Sequence, residues 1–290
     1  MPSPTPAWLV RLCLVLCLAV LGGGCATTFV YERADRLAQR WVGGYLPLDA
    51  AQRARLDDGL AELHAWHRRE QLPDYAAWLR LAAQRIADES PATPEELQAQ
   101  GRELAAFWGE LSRAALPLLV EIGRDLDESQ VQALLARLRE DQREERAAAR
   151  GRTEAWHQQR RARSMERFLR RWTGPLTAEQ RTALQDWSAG LEPTREAAFA
   201  NRAGWVDALE GALARRDDAD ALRAAAEILI VDPAARWEPE YDAVVARNTA
   251  HTMAFMADFL AALEPWQRQR AVERLERLSV QLDRLAGAGG

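Results

Sequence analysis

Leu48-Asp49-Ala50-Ala51-Gln52, Leu126-Asp127-Glu128-Ser129-Gln130 and Leu176-Thr177-Ala178-Glu179-Gln180 share one pattern, Leu-[Asp/Thr]-x-x-Gln. Leu263-Glu264-Pro265-Trp266-Gln267 is a looser copy with proline at the first helical position. The pattern reads as a capping box. The Asp or Thr oxygen accepts from the amide three residues on, and the Gln side chain reaches back to the cap amide. Thr93-Pro94-Glu95-Glu96 is a related start. Between these starts Ala, Leu, Arg, Glu and Gln dominate, β-branched residues are sparse and no segment alternates with period two. The one β-looking run, Ile228 to Val231, closes a helical stretch at Asp232-Pro233 and reads as a buried helix end. The chain is therefore expected to be all-α, a multi-helix bundle of about eight to ten helices.

The caps and the Pro/Gly breakers predict helices over Phe29–Trp41, stopped by Gly43-Gly44, then Asp49–Leu72, Pro73–Asp88 and Thr93–Gly123, bent at Pro117. Asp127 to Trp172 follows, either as one long central helix of roughly 70 Å in an elongated crescent or hinged at Gly151. Helices over Thr177–Gly190, Pro193–Arg215, Asp218–Val231, Glu238–Leu263 and Pro265–Leu285 complete the map. The cap spacings of 78, 50 and 87 residues are too irregular for a solenoid. The expected organisation is a signal segment over 1–24, a tether over 25–28 and a helical domain over 29–290, in which two packed halves would meet near 172–177.

The N-terminus reads as an address. Arg11 precedes an apolar run, Leu12 to Leu21, and Gly22-Gly23-Gly24-Cys25 follows. Ten apolar residues suit a secretory signal and fall short of the ~20 that span a bilayer. Small residues before a cysteine mark a lipoprotein cleavage site, although Leu21 stands one position further from Cys25 than in the usual lipobox. Cys25 is the expected lipidation site, and the covalent lipid is the only cofactor expected. The expected location is the cell envelope, as an outer-membrane lipoprotein facing the periplasm, since Ala26 rather than Asp follows the lipidated residue. Cys13 and Cys17 leave with the signal, so no intramolecular disulfide and no thiol or Cys-metal chemistry is expected of the mature chain. Its net charge of −5 becomes −6 on removal of the signal, which argues against nucleic acid as a partner. Every one of the 38 basic residues is arginine.

Tyr31, Trp41, the first cap and the run His64-Ala65-Trp66-His67-Arg68-Arg69-Glu70-Gln71-Leu72-Pro73-Asp74-Tyr75 together resemble a family of proteobacterial lipoproteins known only as a domain of unknown function. The resemblance continues through Arg170-Arg171-Trp172-Thr173-Gly174-Pro175-Leu176-Thr177-Ala178-Glu179-Gln180 and Trp187. It implies a helical lipoprotein and carries over no activity. Gly43-Gly44 departs from the polar pair expected there. Leu176 to Gln180 is also similar to the periplasmic stress and chaperone proteins named for Leu-Thr-x-x-Gln motifs.

For metal chemistry, His64, His67 and Glu70 stand at steps of three, so neighbouring members share a helix face. A packing role for His67 and Trp66 before Pro73 is the plainer reading. No nucleophile elbow, phosphate loop or Ser-x-x-Lys appears. Arg137 to Arg171 holds 12 Arg against six acids, a local excess that suits anionic lipid or an acidic client, or else a solvated helix face. Eight or so of the ten tryptophans after Cys25 read as core. Trp156 is the expected exposed contact residue, with Arg160, Arg161 and Arg163 beside it. The function expected is a non-catalytic interaction or chaperone-like module on a membrane, with an unknown protein partner or client. The alternative is a binder of an envelope component such as lipopolysaccharide or peptidoglycan, and a hydrolase with unidentified carboxylates comes third.

Overall fold

A computed structural model describes residues 31–88 and 92–287, and the expected signal segment and Cys25 lie outside them. The described residues are all-helical: α1 (Ala34–Gly43), α2 (Ala50–Trp66), α3 (Leu72–Ala87), α4 (Pro94–Arg124), α5 (Glu128–Ala149), α6 (Glu154–Thr173), α7 (Ala178–Gly190), α8 (Arg195–Leu213), α9 (Ala219–Ala226), α10 (Pro239–Ala261) and α11 (Pro265–Gly287). A π turn, His67–Gln71, carries α2 into α3 without a break, so these are ten separate helices. The π turn ends two residues before Pro73, which has no N–H to give and whose ring crowds the turn behind it. A second π turn, Glu227–Val231, ends α9, burying Leu229 and leaving Ile228 exposed. None of the described helices is long and apolar enough to cross a membrane.

The long-helix expectation for 127–172 is corrected. Gly151 takes φ +72, a left-handed conformation that glycine adopts without a Cβ penalty. Thr153 then caps a new helix by accepting from the Trp156 amide at 3.2 Å. The break at 150–153 thus has a stop signal and a start signal side by side. Pro117, by contrast, lies inside the continuous 31-residue α4.

The caps do more than start helices. Gln52 and Gln130 bond each other through both halves of their amides, at 3.0 and 2.6 Å. Each also accepts from its own cap amide, at 3.0 Å from Asp49 and 3.0 Å from Asp127. Each then donates to the loop before the other's helix: Gln52 to the Asp125 carbonyl and Gln130 to the Pro47 carbonyl. Gln180 and Gln267 repeat the arrangement bond for bond. They exchange amide bonds at 2.7 and 2.9 Å, accept from Thr177 and Glu264, and donate to the Ala262 and Pro175 carbonyls. Both glutamine pairs are buried, so they clamp the starts of α2 and α5 together in one half and of α7 and α11 in the other.

The two clamps define an internal two-fold arrangement. Four residues after the first glutamine of each pair come the buried Leu56 and Leu184, and four before the second come Leu126 and Leu263. The helices exchange partners between halves: α3 packs along α11, and α8 packs along α5. The equivalent helices α4 and α10 pack on each other. One core therefore joins Leu56, Leu116, Leu126 and Leu135 to Trp205 and Leu213 of α8, and the other side joins Leu72, Ala76 and Leu79 of α3 to Leu275, Leu278 and Leu282. Where the halves differ, size is compensated locally. Seven residues after Gln180 the indole of Trp187 stacks on Phe255 at 5.3 Å, whereas the same place in the first half holds Gly59, where the Leu118 side chain occupies the space that a Cβ would take.

Candidate functional site

Each half encloses an apolar cavity at the equivalent place. The smaller, about 170 Å³, is lined by Leu119, Ile122, Gly123, Leu126, Leu134 and Leu138. The larger, about 460 Å³, is lined at the corresponding positions by Met256, Phe259, Leu260, Leu263, Ala271 and Leu275. In the first half α9 and its π turn add Leu222, Ala226, Leu229 and Ile230 to the wall. The larger cavity has the size of a small-molecule site, ~300–1,000 Å³. The remainder of its wall is strongly aromatic: Tyr75 and Trp78 from α3, Phe107 and Trp108 from α4, and Phe168 and Trp172 from α6. Leu104, 46% exposed, and Phe168, 48% exposed, belong to the same lining and mark its opening to solvent.

The wall is held by the segment that carries the densest sequence motif. His67 is 5% exposed and its Nδ1 lies 2.9 Å from the Tyr31 hydroxyl. Burial, and then the charge of His64, push the His67 pKa down to about 4. Burial raises the Tyr31 hydroxyl well above its usual range, against an opposing effect of Arg68. Tyr31 is thus the donor and neutral His67 the acceptor. Gln71 donates to the Phe107 carbonyl at 3.0 Å and to Glu110 at 3.2 Å, and accepts from the Tyr75 hydroxyl at 2.7 Å. His67, Gln71 and Tyr75, at successive steps of four, tie Tyr31 and α4 to α3.

Two donors in this lining lack an acceptor among the described residues: the indole N–H groups of Trp108 and Trp172, both shielded from solvent. Unpaired buried donors cost about 1–3 kcal/mol each. Neither N–H has surface open to the cavity, whose wall is almost wholly apolar, so the space suits a largely apolar occupant.

The residues singled out from sequence fall differently. His64 packs against Tyr31 with the rings tilted and their centroids 4.8 Å apart, His67 belongs to the cavity wall and Glu70 is exposed. The π turn breaks the regular phase on which their shared face depended, and no group of three His, Cys, Asp or Glu gathers among the described residues. Trp156 is half-buried rather than open, covered by Arg152 and Arg160 at 4.9 and 5.4 Å from its ring. Arg161 is held by Glu154 at 2.9 Å, and Arg195 closes on the same carboxylate. Arg163 lines an open groove on α6 with Glu166, Arg167, Arg170 and Arg171. Of the tryptophans, Trp187 and Trp205 are buried, Trp266 is exposed and the other described ones are half-buried, so the expectation of about eight core tryptophans is corrected. An apolar stripe shows which face an indole occupies. It does not show whether the facing space is filled or empty.

Sequence reasoning missed the cavity. Its signal was the stripe Leu104, Phe107, Trp108 and Leu111 on α4, spaced as a buried helix face, together with Phe168 and Trp172 on an otherwise arginine-rich helix. A model of the family of unknown function DUF6279 matches residues 44–242. No curated protein and no solved structure matches the chain.

Proposed function

The chain belongs to the family of unknown function DUF6279, and from that premise and the cavity we propose that it is a non-catalytic, membrane-tethered binding protein that holds an apolar ligand in the second-half cavity. The observation that carries the reading is an aromatic-walled, almost wholly apolar space of about 460 Å³. The titratable lining residues are His67 and Tyr75, and both are engaged in the wall itself. This favours the envelope-component reading over client holding, because the large apolar area is gathered into a cavity rather than spread as a displayed face.

The expected test uses N-phenyl-1-naphthylamine, a neutral apolar fluorophore, with the full chain. Saturable binding should weaken by about tenfold in Leu104→Glu and Phe168→Glu, which place a charge at the opening without changing the core. Unchanged binding in both variants would place the fluorophore elsewhere and sink the reading.

The tether belongs to the same proposal. Acylation of Cys25 would anchor the chain in the envelope, and the six residues from Cys25 to Tyr31 span at most ~20 Å. Tyr31 is fully buried against His67, so the anchor would keep the cavity close to the bilayer. Cys25→Ser should shift the protein from the membrane to the soluble fraction. Retention of the serine variant in the membrane would contradict the anchor.

A further inference from the structure

Most of the arginines between 137 and 171 are used inside the protein. Arg137 pairs with Asp141, Arg139 with Glu210, Arg143 with Glu140, Arg161 with Glu154, and Arg170 with Glu166. Arg146 lies over the Phe199 ring, and Arg152 and Arg160 over Trp156. Three that make no ion pair among the described residues are Arg163, Arg167 and Arg171. They stand at steps of four, so they form one stripe down α6.

Like charges at that spacing destabilise a helix rather than support it. The stripe is extended by α11. Arg270 and Arg274 also make no ion pair among the described residues, and Arg270 lies against the backbone of Gly174 where α6 ends. Arg274 is held below the usual arginine range by burial and by the charges of Arg270, Arg277 and Arg171. In a chain of net charge −5 this is a concentrated cationic edge.

The edge adjoins the cavity. Arg171 follows Phe168 by three residues, on neighbouring positions of the same helix face, and Phe168 is at the opening. Arg171 immediately precedes the wall residue Trp172, while Arg270 and Arg274 immediately precede the wall residues Ala271 and Leu275. We propose that the ligand is an anionic amphiphile, a single acyl-type chain in the cavity with its phosphate or carboxylate headgroup on Arg171 and Arg274. The inference rests on the reading of the cavity as the binding site and assigns the chemistry of its ligand. Guanidinium groups suit such a headgroup because they donate paired hydrogen bonds to its oxygens.

The experiment uses the full chain held in solution by a non-ionic amphipathic polymer, with 12-bromododecanoate and 12-bromododecan-1-ol as probes. Bromine on the chain end quenches nearby tryptophan, and Trp78, Trp108 and Trp172 line the cavity. Both probes should quench, and the carboxylate should do so at about tenfold lower concentration than the alcohol. Arg171→Gln combined with Arg274→Gln should erase that difference and leave the alcohol curve unmoved, which also shows that the variant is folded. Inorganic phosphate should fail to displace the alcohol. Equal potency of the two probes in the parent protein, or a preference that survives in the double variant, would overturn the headgroup assignment while leaving the cavity reading standing. Inorganic phosphate binding as tightly as the carboxylate would reduce the edge to a plain anion patch and overturn it too. Quenching by neither probe would sink the cavity reading itself.

Discussion

Gln267→Leu is expected to destabilise the protein by about 4 kcal/mol, among the largest effects of any single substitution here. Gln267 is fully buried and takes part in four hydrogen bonds: two with Gln180, one to the Pro175 carbonyl and one from the Glu264 amide. Leucine fills a similar volume and makes none of them. It would strand the Pro175 carbonyl and the Glu264 N–H and take one of the two bonds from each end of the buried Gln180 amide, which keeps Thr177 and Ala262. Gln267→Glu separates shape from bonding, because it is nearly isosteric yet cannot donate to Pro175, and it should also be strongly destabilising. Gln132→Leu, which removes only an exposed bond to Glu128, should stay within about 0.5 kcal/mol of the parent. Urea unfolding of Gln180→Leu, Gln267→Leu and the pair should show coupling of about 1–2 kcal/mol, the double loss being smaller than the sum. Additive losses would mean that the amide exchange does not clamp the two helix starts.

The second large effect is acid sensitivity at His67. Unfolded, His67 titrates near 6.5, and in the fold its pKa is about 4 because burial and His64 oppose the charge. Between those values the unfolded chain binds more protons than the folded one, so stability falls as pH falls. The contribution is complete above about pH 6.5 and is lost progressively toward pH 4, a total of about 3 kcal/mol. His64, lowered by burial and by Arg68, acts in the same direction. Denaturant midpoints measured from pH 7 to pH 4 should therefore drop steeply in the parent and much less in His67→Gln, which can still accept from Tyr31. Equal pH slopes in the two proteins would contradict a buried neutral His67.

What was legible in the sequence was whatever is decided locally. Asp49, Thr93, Asp127 and Thr177 each accept from the amide three residues on, as their spacing to Gln or Glu predicted. The helix stop at Gly43-Gly44 and the all-α class follow from equally local signals. The partners of the capping glutamines were not legible, because Gln52 meets Gln130 across 78 residues and Gln180 meets Gln267 across 87. Irregular spacing hid a two-fold arrangement in which the intervening loops differ in length.

The break after α5 was half legible. Gly151 alone left a hinge and a long arm both open, and Thr153 as a cap residue decides between them. The shared face of His64, His67 and Glu70 assumed 3.6 residues per turn, and the π turn before Pro73 rotates Glu70 into solvent. The motif around residues 64–75 turned out to build a wall. His67, Gln71 and Tyr75 fasten Tyr31, α3 and α4 round one side of the cavity. That space itself left no local trace, since Phe107 and Trp108 have the same spacing whether they meet a packed core or a cavity.

The most direct test is a crystal structure of the full chain grown with 12-bromododecanoate, with bromine located by anomalous scattering. The account predicts a bromine peak inside the second-half cavity, in contact with Trp78, Trp108 or Phe259, and the carboxylate at Arg171 and Arg274. A bound chain lying wholly outside that cavity, with the aromatic wall empty, would contradict it.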